Sequence, residues 1–463
     1  MTHLVVFEQY AEDHGPLART RPVFELRCGS MSLGERLVRR YGPERVFHQV
    51  RPPLALVHRH VLDERGQVAV VNDLAAALSD GVLLVDGAAL ATPSASLPDP
   101  GGPDEMALIP EVVDHRADAQ GRLTPVYREG GRLLYLRLGR ATAAELLGRA
   151  GPDLSRLLEE ARRTPAVGVR WLEEGQVPVA TYPWLLLERN AEALAWDYGD
   201  YRDRPRPQAA LDPSVVFLSH GRRLPGAGLG AGRGGAVYLG RNSAVGAFVV
   251  FDTGAGPILA EEGVTVQSHC HLQGPAWIGR GCTLWAFTDL KEGCSLGPSC
   301  RVCGQLEEVI FQGYMHKFHV GFVGHSYLGE GVNLGDQTVT SNLRNDRAAV
   351  PVQLGPQTQR QINTGRRYLG SLIGDGVSTG TNTNLTTGAV VEPLSSIVSA
   401  AATPKYISGL LHAGRHLPWP FPAAYGAMRI LVEERLGRPL PAGHEALFRH
   451  VYAGLRASRR ALS

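Results

Sequence analysis

The sequence predicts an α/β domain over 1–205, a β-helix of six-residue units over 206–402 and a short helical tail over 403–463. The coil is carried by spacing. Val266, Leu272, Ile278, Leu284, Leu290, Leu296 and Val302 fall on every sixth position, and Cys270, Ala276, Cys282, Thr288, Cys294, Cys300 and Leu306 follow four places after each. That period fits neither a 3.6-residue helix nor an alternating strand. It suits a prism whose short sides each take one unit and whose aliphatic residues stack inside. The α/β domain is carried by a branched apolar run at 2–7 and the strand-like and helix-like stretches after it, and the tail by helical spacing at 425–436 and 444–460 around Gly437-Arg438-Pro439-Leu440-Pro441.

The 463 residues leave room for two or three cores, and a net charge of +2 argues against a nucleic-acid partner. No apolar run reaches membrane-spanning length, and the start Met1-Thr2-His3-Leu4-Val5-Val6-Phe7 lacks a basic segment ahead of a cleavable apolar core, so a cytoplasmic protein without a membrane partner is expected.

In chain order, the strand at 2–7 leads through an arginine-rich loop, Pro16-Leu17-Ala18-Arg19-Thr20-Arg21-Pro22, to a helical pattern at 32–41. Such a loop can handle phosphate, though arginine-rich loops are more often simply solvated. Strands are expected at 69–72, 82–85 and 133–138, and Asp86-Gly87 ends the second of these, where α/β enzymes often place a metal-binding carboxylate and where Asp-Gly also makes an ordinary turn. The Pro, Ser and Gly of 93–104 read as a surface loop, and 141–161 as helix broken at Gly151-Pro152. Tyr182-Pro183-Trp184 leads into a further helix, 201–207 reads as a linker, and 226–235 is a glycine-dense approach to the coil. After Val302 the spacing slips by two and is expected to resume at Ile310, His316, Phe322, Leu328 and Leu334, then after a long excursion at Ile373, Thr379, Leu385, Val391 and Ile397. Gly279, Gly297, Gly329, Gly335 and Gly374 follow aliphatic positions and let the backbone turn where a Cβ would clash. Four of the six cysteines share the small inward position, which favours stacked fillers over disulfides or zinc, Cys300-Arg301-Val302-Cys303 included. The basic tail helices are expected to cap the coil, with approach to a phosphorylated ligand as the less common role.

The chemistry-bearing stretch runs from Lys317 to Asn342. It holds His319, then Gly324, Leu328-Gly329, Val332-Asn333 and the series Thr338, Thr340, Asn342, in an order that resembles, without gaps, the acetyltransferase half of the GlmU family. Those are bifunctional glucosamine-1-phosphate N-acetyltransferases and N-acetylglucosamine-1-phosphate uridyltransferases. Pro16-Leu17 with Thr20-Arg21-Pro22, followed by Glu25-Leu26-Arg27 and the later Tyr182-Pro183-Trp184, is similar to the opening of a divergent bacterial subgroup. The resemblance implies a nucleotidyltransferase-like, Rossmann-like first domain, a left-handed turn of the β-helix, and a homotrimer with acyl sites between neighbours. It also implies acetyl-CoA as co-substrate, an amino sugar phosphate as acceptor and, if the first domain is active, a nucleoside triphosphate with Mg²⁺.

Residue by residue, the resemblance puts His319 on the catalytic base, Asn333 and Asn342 on positions contacting amino sugar and acetyl group, and Thr381 near acetyl-CoA. An amine attacks a thioester only when neutral, which asks for a base of pKa near operating pH, and the resulting oxyanion needs a fixed donor. His325 is the rival base, and Glu307 or Glu308 could orient His319. Arg344, Arg347, Arg366 and Arg367 are candidates for sugar or CoA phosphates. In the first domain Arg21 and Arg27 are the candidates for nucleotide and Asp86 for metal. There the sequence departs from the family: 7–15 has no glycine-rich phosphate loop, and Pro22-Val23 stands for Pro-Lys. Phe322 replaces the family's tyrosine three residues after the base. Two alternatives remain open: nucleotidyl transfer alone, with the coil as trimerisation scaffold, and a non-catalytic nucleotide-sugar-binding protein.

Overall fold

One mixed sheet organises the amino-terminal half. The computed structural model describes residues 3–118, 122–202, 204, 209–223, 236–355, 361–398, 402–413, 415–417 and 419–460. The expected boundary at 205/206 and the glycine-dense approach at 226–235 lie outside the described residues. The strand His3–Phe7 is wholly buried and lies between two parallel neighbours, Val46–Gln49 and Val82–Asp86. Val70–Val71 extends one edge, while Arg132–Leu138, Glu105–Ile109 and Gly168–Trp171 extend the other. Central strands that are apolar along their length need cover on both faces, and helices supply it. Leu33–Tyr41 starts with a capping box between Ser32 and Glu35, and the break at Gly151-Pro152 separates Arg140–Ala150 from Leu154–Arg163. Strands Val46–Gln49 and Glu105–Ile109, the hairpin Val112–Ala117 with Leu123–Tyr127, and helix Ala55–Glu64 were not legible in the sequence pattern.

From Ala210 onward short parallel strands stack into three sheets, the sides of a prism. The six-residue spacing lands where expected. Val266, Leu284 and Val302 share one side, Leu272 and Leu290 the second, and Ile278 and Leu296 the third, all essentially inaccessible to solvent. Cys270, Cys282, Cys294 and Cys300 are buried in the same core. The glycines are required by rung stacking rather than by a left-handed φ. A Cβ on Gly297 would lie 2.0 Å from the Gln312 carbonyl oxygen of the next rung. The corners instead put Phe248, His269, Phe287 and His325, among others, at positive φ.

One correction follows from register. Leu296 pairs with Phe311, Val302 with Lys317 and Leu306 with Val323, so the inward residues are Phe311, Lys317 and Val323 rather than Ile310, His316 and Phe322. The rung between Val302 and Phe311 is short, and its Leu306 serves as the inward residue of its side, which displaces the following phase by one.

The two halves share a core. Ile310, Tyr327, Leu372 and Val390, on the outer face of the third side, pack with residues of the first domain. Helix Pro183–Arg202 seals the junction: Asn190 donates to the Gly293 carbonyl at 2.8 Å and accepts from Ser295 at 3.0 Å and from the Gly29 N–H at 2.6 Å. The tail helices Phe421–Leu436 and His444–Arg460 lie against the coil and the first domain together. Met428 and Val432 pack beside Gly331 and Gly376, Arg438 reaches Glu64 at 2.7 Å, and Leu447 joins the first domain's core.

Candidate functional site

The coil corner at 318–321 joins the first side, ending in His316–Lys317, to the second, Phe322–Gly324. Lys317 occupies an inward slot that aliphatic residues fill in the rungs before it, and its ammonium is buried. Nζ donates to the Cys303 carbonyl at 2.9 Å and to the His319 carbonyl at 2.8 Å, which ties down the backbone of His319. Burial lowers the Lys317 pKa to about 8. The His319 side chain points to solvent, and among the described residues no hydrogen bond or ion pair reaches its imidazole. Sequence reasoning missed Lys317. The signal was a lysine one place after the supposed inward His316, and a correct register would have exposed it.

His325 is placed differently. It is mostly buried, stacks on Tyr368 with ring centroids 5.2 Å apart, meets Glu308 through Nε2 at 3.4 Å and receives the Asn342 amide on Nδ1 at 3.0 Å. An amide NH₂ only donates, so Nδ1 accepts and the ring proton sits on Nε2 toward Glu308. Both ring nitrogens are thus engaged. Glu308 turns to His325 rather than His319. Asn333 is exposed beside His316 on the first side, and Asn342 follows the second side at Val339–Thr340, so the structure gathers Asn342 with His325 and leaves His319 at another corner. Thr381 is exposed in the turn between Ser378–Thr379 and Asn384–Leu385, on the same corner as His319 two rungs along. That corner also carries Phe248, His269 and Phe287, stacked at 5.1 Å intervals, with Phe248 58% and Phe287 72% exposed. His316 lies under the tail, accepting from Arg435 at 2.5 Å, and burial with that guanidinium lowers its pKa to about 4.

The excursion arginines scatter. Arg344 pairs with Asp346, Arg347 and Arg367 stand exposed, and Arg366 pairs with Glu188 of the first domain. Hairpin strands Pro351–Gln353 and Gln361–Asn363 reach over to the first domain, where Asn363 accepts through its carbonyl from His115 at 3.0 Å and donates to Asp114 at 2.9 Å. A cavity of about 280 Å³ lies beneath, walled by Tyr182, Trp184, Arg189, Asn363 and Arg366 among others.

In the first domain the nucleotide and metal candidates have other partners. Arg21 turns to the coil, pairing with Asp375 at 2.5 Å and Glu330 at 3.0 Å, and both carboxylates raise its pKa against burial. Arg27 donates its backbone N–H to Tyr327 at 2.6 Å, and its guanidinium lies 4.5 Å over Trp277. Both arginines tie the halves together, Arg21 from the wall of a cavity of about 230 Å³ that Arg65, Arg438 and His444 also line. Asp86 stands at the end of its strand as expected, but Arg132 takes its Oδ2, with Gln9 on the same oxygen at 3.2 Å, and the Ala88 N–H takes Oδ1 at 3.0 Å. A divalent ion wants two or more free oxygen donors, and this carboxylate offers none. Among the described residues no group of three His, Cys, Asp or Glu is placed to hold a metal.

Comparisons place the chain. The family described as sugar nucleotidyl transferase matches residues 4–202. A bifunctional sugar-1-phosphate nucleotidylyltransferase/acetyltransferase of Sulfurisphaera tokodaii is 33% identical over 152 residues, 32% of this chain and 36% of its own. Over these stretches the chain is similar to bifunctional nucleotidylyltransferase/acetyltransferase and GlmU proteins. Bifunctional GlmU proteins of Sphingopyxis alaskensis and Azorhizobium caulinodans are 28% and 29% identical, over 22% and 28% of this chain and 23% and 25% of theirs. The chain therefore spans little more than a third of the GlmU-like relatives it matches, at most. A cytidylyltransferase structure from Streptococcus pneumoniae covers 41% of this chain at 11% identity, with a TM-score of 0.29 that carries no argument. No described helix is long and apolar enough to cross a membrane.

Proposed function

We propose that this GlmU-like chain transfers the acetyl group of acetyl-CoA to the amine of an amino sugar 1-phosphate, in the cytoplasm, with His319 as the base. The observation that carries this is the contrast between the two histidines: His319 is exposed on a backbone anchored by Lys317, with no hydrogen-bond or ion-pair partner on its ring among the described residues, whereas His325 has both ring nitrogens engaged. The neutral amine attacks the thioester carbon, a C–N bond forms, and His319 takes the amine proton. The tetrahedral oxyanion collapses with cleavage of the C–S bond, and the departing thiolate recovers a proton from the imidazolium. Asn333, exposed and without a side-chain partner among the described residues, is the candidate donor to the oxyanion. Thr381, on the His319 corner, would face acetyl-CoA.

His319 and Asn342 sit on different corners of one prism, so a second copy that brings its Asn342 corner to the His319 corner completes the constellation. The exposed Phe248, His269 and Phe287 ladder on the His319 corner is the apolar surface such a contact needs, and three copies close the ring as a homotrimer. A second reading, formation of a nucleotide sugar from a nucleoside triphosphate and a sugar 1-phosphate, is favoured by the family match over 4–202.

Thiol release from acetyl-CoA with glucosamine-1-phosphate, measured on wild type, His319→Ala and His325→Ala, tests the first reading. Amine-dependent release lost only in His319→Ala supports it. Release lost only in His325→Ala moves the base, and none from wild type turns attention to pyrophosphate release by the first domain.

A further inference from the structure

The strand ends of the first domain are built around a cation of the chain's own. Arg132 opens the strand Arg132–Leu138, antiparallel to Val82–Asp86, which delivers its side chain beside Asp86. The guanidinium has no solvent exposure. It meets Asp86 through Nε and Glu111 through Nη1 at 2.6 Å. Arg128 continues the network, pairing with Glu111 and with Asp13 at 2.8 Å, and the Tyr10 ring lies 3.6 Å from Arg128 and 5.3 Å from Arg132. Burial alone would raise Glu111, yet the two guanidiniums hold it below the usual carboxylate range.

Asp86 and Glu111 are thus bridged by Arg132 at the end of a parallel pair of strands, the place where α/β folds take ligands, and Arg128 ties Glu111 to Asp13. A divalent ion reaching Asp86 would have to expel Arg132 from its partners, leaving a buried guanidinium unpaired and two positive groups side by side. Gln9 adds a further donor to Asp86 at 3.2 Å.

We propose that Arg132 is a resident cation standing where a nucleotidyltransferase would hold a divalent ion, so the first domain carries no metal at Asp86 and any phosphorylated ligand it takes is bound without one. This goes beyond the proposed acetyl transfer and does not depend on it.

Manganese is the probe. The full chain is titrated with Mn²⁺ by electron paramagnetic resonance beside Asp86→Asn, and crystals soaked in Mn²⁺ are examined for anomalous scattering. Expected are an equal free-Mn²⁺ signal for both proteins and no anomalous peak at Asp86. One Mn²⁺ bound per wild-type chain and released by Asp86→Asn, or a peak in coordinating contact with Asp86, overturns the proposal. Arg132→Met should bind Mn²⁺ at least tenfold more tightly than wild type by uncovering Asp86 and Glu111. A folded Arg132→Met, judged by circular dichroism, that binds no more than wild type also overturns it. If that variant does not fold, the wild-type crystal decides alone.

Discussion

The carboxyl edge of the amino-terminal sheet and the coil corner at His319 are furnished in opposite ways. At the sheet edge Asp86, Glu111 and Asp13 are bound to Arg132 and Arg128, and Glu8 to Arg51 at 2.9 Å. On the coil His319 and Thr381 at their corner, and Asn333 on the side beside it, are exposed without such partners among the described residues, and Lys317 holds the His319 backbone from beneath. A polar group satisfied inside its own chain has little to gain from a ligand, while an exposed one on a rigid rung is available to substrate or to a second copy. The coil is therefore the half in which chemistry is expected, and the first domain the half in which the same residue types serve cohesion.

The largest effect should come from the open site. His319→Ala is expected to lower amine-dependent CoA release by about two to four orders of magnitude, the usual size of a lost general base, with the melting temperature unchanged because the side chain is exposed. A drop in both would place His319 among structural residues. At the closed site the order reverses: Arg132→Met should cost about 3–5 kcal/mol of stability by stranding two buried carboxylates, read as a lower denaturant midpoint. A loss below about 1 kcal/mol would mean the network contributes little.

Acid should separate the halves as well. Burial, then Arg132, lowers His14 to about 4, and burial, then His58, lowers His48 to about 3. These histidines bind protons only once the domain unfolds, so the stability they contribute is complete above pH about 6.5 and is lost as pH falls through their folded values. Glu25 acts later: burial would raise it, but Arg65 and two histidines hold it near 2, so its contribution fades only below pH about 4.5. Hydrogen exchange between pH 7 and 4 should show the strand Val46–Gln49 losing protection before Thr283–Leu284. Loss in the reverse order would break the contrast.

The coil was legible because its core repeats in sequence as it does in space: Val266 to Val302 predict their own neighbours. The short rung after Val302 hid the phase, since a rung's length is set by how its corners close and not by any residue type, and with the phase went Lys317. In the first domain, strands with a clear apolar run such as His3–Phe7 were readable, whereas Glu105–Ile109 and Val46–Gln49 carry charge or histidine that pairing, not pattern, accommodates. Arg21, Arg27 and Asp86 looked like ligand residues because their types suit phosphate and metal. Their partners, Asp375, Tyr327 and Arg132, lie 354, 300 and 46 positions away, and sequence proximity says nothing of them.

The smallest predicted effect is the sharpest test of the open site's foundation. Lys317→Met keeps the volume of an inward slot and removes a buried ammonium, so the rung should hold and the protein should become more stable. Wild-type stability should decline as pH falls from about 10.5 to 8, because the folded chain holds the Lys317 proton less tightly than the unfolded one, and the variant should lack that slope. The His319 carbonyl loses its donor, and a base displaced by a fraction of an ångström is expected to lower kcat about tenfold with KM little changed. Higher stability together with lower kcat would mark Lys317 as a positioning residue kept at a cost to the fold. Higher stability with kcat intact would leave it a tolerated irregularity of the core and return His319 to the standing of any exposed histidine on a coil corner.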